Sequence, residues 1–310
     1  MLNEFALGLA FAASVFMGVS IGASTVASAF GPVNSSGGAN VLRSAMLAGI
    51  FALTGAIFQG GNTTRAVGSN LLAGEIQVIQ AAIILSVAAS LVIISVLGDY
   101  PMPTAFTVIG AVIGSGLGVG NAVNWGVLMG VIGYWLLIPP LAAGMSYFVA
   151  KVLRSNVSRQ NYKREIRLGL LVAGCYLSYS AGASAVGLAV GPLTGNFSLS
   201  LLLATGGLAM LLGTWIYSPR IIRAISFDYS NVGPRRSFAA LVTASVLAQI
   251  GIFYGIPISF NEAIIAAMIG SGLVRGTENT DHSKILRTAG AWMAAFLLSA
   301  VLTYGITLLV

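Results

Sequence analysis

Apolar residues along this chain fall into ten blocks parted by short polar breaks. They lie at about 4–33, 41–60, 76–97, 101–119 and 124–150, then at about 168–196, 198–217, 237–254, 257–275 and 286–309. A block of about 20 apolar residues crosses hydrocarbon as a helix, which satisfies its own backbone there. The blocks at 4–33 and 168–196 exceed that length, and each is expected to be two short helices around an unwound middle. Those at 101–119 and 257–275 are short, and read either as spans or as re-entrant hairpins. The pattern predicts an all-α polytopic membrane protein.

The two long blocks share a sequence. Gly22-Ala23-Ser24-Thr25-Val26-Ala27-Ser28-Ala29-Phe30-Gly31-Pro32-Val33 returns as Gly182-Ala183-Ser184-Ala185-Val186-Gly187-Leu188-Ala189-Val190-Gly191-Pro192-Leu193, with seven of twelve positions identical and no gap. A second pair runs from Pro101 to Gly116 and from Pro257 to Gly272, both ending Ile-Gly-Ser-Gly. Five segments per copy is an odd number, so the second copy lies upside down relative to the first. The expected organisation is a first membrane repeat at 1–150, a basic linker at 151–167 and an inverted second repeat at 168–310. Such duplications are a mark of internally symmetric carriers, whose sites lie at mid-membrane where helices break.

Composition agrees with the pattern. Hydrophobic residues are 57% of the chain, charged residues 7%, and the mean hydropathy is +0.92, which leaves too little polar surface for a water-soluble domain. The start Met-Leu-Asn-Glu has no basic n-region, so the first span is expected to be retained. The net charge of +7 is topological, and no nucleic-acid partner is expected. With a cytoplasmic linker and both termini outside, 14 of the 15 Lys and Arg residues fall on the inner side, and only Arg65 falls outside. Cys175 is the sole cysteine and His282 the sole histidine, so no disulfide framework, metal cluster or catalytic histidine cluster is expected.

No Lys or Arg lies deep in an apolar block. The polar groups at mid-depth are Ser24, Thr25, Ser28 and Ser184 beside glycines, with Thr104, Thr107, Ser259 and Asn261 at two further helix starts. Broken helices offer N–H groups and a positive dipole end, and small residues let an anion approach them closely. Four such ends converging would make an uncharged, donor-rich oxyanion site. The plain alternative is tight interhelical packing, which is the reading preferred for Gly110, Gly114, Gly116, Gly270 and Gly272. Glu262, at the start of an apolar helix, is the one acid placed inside the membrane. It reads as a proton- or cation-coupling group, or as an ordinary complement to the helix dipole.

At these residues the chain resembles the inorganic phosphate transporter family of secondary carriers. That family repeats a Gly-Ala-Asn-Asp signature and a Pro-Val-Ser-Thr-Thr-His segment. Here they become Gly22-Ala23-Ser24-Thr25 and Gly182-Ala183-Ser184-Ala185, then Pro101-Met102-Pro103-Thr104-Ala105-Phe106 and Pro257-Ile258-Ser259-Phe260-Asn261-Glu262. Both aspartates and both asparagines of the signature are absent. The chain is similar in this to the family's sulfate permease branch. The resemblance implies a homodimer in the cytoplasmic membrane and a substrate site on the Gly-Ala-Ser elements with Thr104, Ser259 and Asn261. The function expected is sulfate import, with Glu262 coupling a proton or, alternatively, sodium, and with no cofactor. Other readings are a phosphate, molybdate or thiosulfate carrier, or a passive anion channel. An enzyme is not expected, because no nucleophile–base pair or metal cluster is visible.

Overall fold

The computed structural model describes residues 2–98, 102–156, 163–224, 233–275 and 282–310, and its regular structure there is helical apart from one isolated antiparallel bridge, Leu72 to Val123. Asp99, Pro101 and the linker positions 157–162 lie outside the described residues. The first half holds α1 (Leu2–Ile21), a π-helical turn (Gly22–Val26), α2 (Gly31–Ser35), α3 (Val41–Gln59) and α4 (Gly61–Arg65). After α4 come a second π-helical turn (Ala66–Asn70), α5 (Val78–Leu97), α6 (Thr104–Gly118) and α7 (Trp125–Asn156). The second half holds α8 (Lys163–Val190), α9 (Leu199–Ala224), α10 (Pro234–Phe253), α11 (Phe260–Gly272) and α12 (His282–Thr307).

Eight stretches among the described residues are long and apolar enough to cross a membrane. The two short blocks are not. Helix α6 has 15 residues and α11 has 13, about 20 Å each at 1.5 Å per residue, against about 30 Å of hydrocarbon. Each follows an extended approach, with Pro103 and Ser259 as the last non-helical residues, so both are half-membrane helices that begin at depth. The chain is thus a multi-pass membrane protein of two inverted repeats. Pro139 and Pro140 stand inside α7 without ending it, which neighbouring helices tolerate in a membrane.

One sequence expectation is corrected here. The Gly-Ala-Ser elements do not unwind. In the first copy Gly22–Val26 keeps turning as a π-helix, and the break comes at Ala29–Phe30, before Gly31-Pro32. In the second copy α8 runs unbroken through Gly182–Ala185 and tightens only at Gly191–Leu193. Small residues weaken a helix by about 1 kcal/mol at most, which intersegment packing overrides, whereas Pro removes an N–H outright.

The two halves are interleaved. Helix α1 packs on α9, and α3 on α8, through glycines that let backbones touch. A methyl group on Gly22 would run into the Met210 carbonyl, and one on Gly213 into that of Val19. In the inverted copy, Gly182 meets the Ala52 carbonyl and Gly55 that of Tyr179. The short helices are exchanged as well. Helix α6 lies on α12, with Gly110 and Gly114 against the Phe296 and Ala300 carbonyls, and α11 lies on α7, with Gly270 against Ala143. Packing is therefore the role the structure shows for these glycines, as expected for Gly110, Gly114 and Gly270. Lipid supplies no hydrophobic drive between helices, so close backbone contact has to hold them.

Candidate functional site

The approaches to α6 and α11 meet beside the π-helical turn of the first half. Ser24 Oγ donates to the Met102 carbonyl at 3.2 Å, and Thr25 and Thr104 join hydroxyl to hydroxyl at 2.8 Å. Asn261, from the other half, donates its amide to the Met102 carbonyl at 2.7 Å and to Ser24 Oγ at 3.3 Å. Ser28 Oγ donates to the Thr25 carbonyl and Thr107 Oγ1 to that of Pro103. Each of these side chains is buried.

The second serine has the same task with reversed polarity. Ser184 Oγ accepts the Ile258 N–H at 3.2 Å, so in each half the Gly-Ala-Ser serine ties down the main chain of the residue just before the short helix's N-cap. Gly22, Ala23, Gly182, Ala183 and Ala185 bring no side-chain donor to this centre. Their neighbourhood is interhelical, and the Ala183 carbonyl accepts from Thr63 Oγ1 at 2.8 Å. Four helix ends were expected to converge, and two do. The ends of α6 and α11 carry no side-chain cap, so their opening N–H groups and positive dipole ends remain directed at mid-membrane.

Acceptors gather on α11. Asn261 Oδ1 and Glu262 Oε2 are buried and make no hydrogen bond in the protein, and Ser259 Oγ, beside Glu262, closes none of normal geometry. The first-half counterpart of Glu262 is Phe106, which stacks on Trp135 with ring centroids 4.0 Å apart. Trp135 Nε1 in turn donates to the Pro257 carbonyl at 2.9 Å. Sequence reasoning passed over Trp135 and Thr63 because both act on main-chain carbonyls, which carry no residue-type signal. Thr63 also lies in a stretch, 61–70, that reads as loop and folds into α4 and a π-helical turn.

The arrangement is a neutral donor set around two helix N-termini, with one carboxyl group at its edge. It can hold an oxyanion by hydroxyl, amide and backbone N–H groups without a fixed cation. No group of three or more metal-ligating His, Cys, Asp or Glu side chains occurs among the described residues.

The known proteins agree with this architecture. A sulfate permease of Bacillus subtilis, CysP, is 28% identical over 94% of this chain and 84% of its own length. A chloroplastic inorganic phosphate transporter of Arabidopsis thaliana is 21% identical over 93% of this chain and 69% of its own length. A solved sodium-dependent phosphate transporter superposes with a TM-score of 0.88 over 98% of both chains at 18% identity, which is a likeness of fold. The profile of the phosphate transporter family matches twice, over residues 21–168 and 155–303, once for each repeat. The chain is an anion transporter of the membrane and belongs to the phosphate transporter family.

Proposed function

We propose that this transporter imports inorganic sulfate across the cytoplasmic membrane, by proton symport through Glu262. The observation that carries the reading is the convergence of two uncapped helix ends with Ser24, Thr25, Thr104 and Asn261, and no acid at positions 25 or 185. Near neutral pH sulfate offers acceptors only, while phosphate carries a proton that an aspartate can accept. A site of donors lacking those aspartates favours sulfate, and the likeness to the Bacillus permease supports it.

Glu262 fits the coupling role by the same logic. A carboxylate beside a dianion repels it, and a protonated one does not, so the two load together. Inward movement of a dianion against a negative-inside potential costs about 2.3 kcal/mol per charge per 100 mV, and co-transported protons offset it. The inside placement of basic residues supports a cytoplasmic linker and outer termini.

A phosphate reading keeps one observation in its favour. Asn261 Oδ1 and Glu262 Oε2 are buried acceptors, and a protonated oxyanion or a sodium ion would satisfy them. Labelled-sulfate uptake into proteoliposomes separates the readings. Sulfate accumulation under an inward proton gradient, uncompeted by phosphate and collapsed by an uncoupler, is expected. Competition by phosphate together with a requirement for sodium would overturn both the substrate and the ion.

A further inference from the structure

The inverted repeat can be put in register along the last helix of each half. Gly114 abuts the Ala300 carbonyl, and Gly270 abuts that of Ala143, so α6 on α12 and α11 on α7 are the same contact made twice. Carried along these helices, Gly133-Tyr134-Trp135 falls on Gly290-Ala291-Trp292, and Phe106 falls on Glu262. In one copy the result is visible. Trp135 reaches from α7 to lie on Phe106 of α6.

In the other copy the corresponding positions hold a buried indole and a buried acid. Trp292 is 8% exposed and Glu262 5% exposed, and Trp292 Nε1 and Glu262 Oε2 each lack a hydrogen-bond partner. The indole is a donor without an acceptor, and the acid has only the Ser259 hydroxyl beside it. Of the cations on the two long helices packed on α11, Lys151 and Arg154 lie near the end of α7, and Arg235 and Arg236 open α10. Arg154 is engaged with the Val274 carbonyl at 2.9 Å.

We infer that Trp292 is a positioning residue for Glu262: its indole N–H donates to the ionised carboxylate at one stage of the transport cycle, in the slot where the first half stacks Trp135 on Phe106. The neutral acid releases the indole, so the bond forms and breaks with the proton. This inference rests on the coupling role proposed for Glu262.

The test uses the full-length protein labelled with 5-fluorotryptophan, in nanodiscs, with its four indole resonances assigned by single Trp→Phe variants. Glu262→Leu is expected to move the Trp292 resonance and to leave those of Trp125 and Trp215, which are exposed on the surface, in place. In proteoliposomes, Trp292→Phe is expected to lower proton-driven sulfate accumulation about tenfold, the size of one hydrogen bond to a charged group. Trp292→His, which keeps a ring N–H, is expected to recover most of that loss. A Trp292 resonance indifferent to Glu262→Leu, or equal losses for the Phe and His variants, would overturn the pairing. If Glu262→Gln still concentrates sulfate while the resonance moves as expected, the pairing stands and the coupling role fails.

Discussion

The first half brings three threonine hydroxyls to the site, and the second brings an amide and an acid. Thr25, Ser28, Thr104 and Thr107 of the first half correspond to Ala185, Leu188, Phe260 and Ala263 of the second. In return, Pro103, Ala105 and Phe106 correspond to Ser259, Asn261 and Glu262. What the halves keep in common is backbone: the glycine–carbonyl contacts, the serine that tethers each extended approach, and the exchanged short helices. Duplication thus fixed a scaffold that is needed twice, while the chemistry, needed once at a shared centre, was free to divide.

If the scaffold is common, its damage should be symmetric. Gly22→Leu and Gly182→Leu each drive a side chain into a carbonyl of the opposite half, a penalty above about 4 kcal/mol. Both variants are expected to lose the monodisperse peak on size exclusion in detergent, and survival of either one would break the equivalence. If the chemistry is divided, its damage should be one-sided. Glu262→Gln is expected to abolish proton-driven accumulation while sulfate exchange at equal concentrations continues, since the neutral amide cannot carry a proton across. Persistent accumulation would return Glu262 to the role of dipole complement.

Thr25→Asp comes next. It puts an unpaired charge beside the proposed anion and in place of the hydroxyl that meets Thr104. About 3 kcal/mol, or a hundredfold loss of sulfate transport, is expected for an uncompensated buried charge, and undiminished uptake by correctly inserted protein would remove Thr25 from the site. The tethers should differ more subtly. Ser24→Ala breaks contacts with both Met102 and Asn261, and a fivefold loss is expected from about 1 kcal/mol. Ser184→Ala breaks one bond, to Ile258, and should cost less in the same uptake assay. The smallest effect expected is that of Ala185→Ser, which restores a hydroxyl in the half where Phe260 offers it no partner.

These contrasts follow the limits of what residues reveal in order. The apolar blocks, the duplication and the starts of the two short helices were legible because each leaves a mark in residue type: hydropathy, repeated Gly and Ser, and Pro at a helix start. The glycine spacing of α6 and α11 announced packing, and packing is what it does. The continuity of α8 through Gly182–Ala185 was not legible, because a small-residue run permits unwinding and close packing equally, and only the partner at Ala52 decides. The convergence of Ser24, Thr25, Thr104 and Asn261 joins positions up to 237 residues apart, and its receiving atom is the Met102 carbonyl, which any residue could supply.

The exchange of short helices also sets a schedule for synthesis. Helix α6 leaves the ribosome early, but the carbonyls that cover Gly110 and Gly114 belong to α12, made much later. At about 5–20 residues per second, the glycine face of α6 waits roughly 10–40 s in the bilayer without its partner. During that interval the half-made protein carries a helix too short to span, with α5 beside it but its glycine face uncovered. The packing of α6 is therefore completed only when α12 is made.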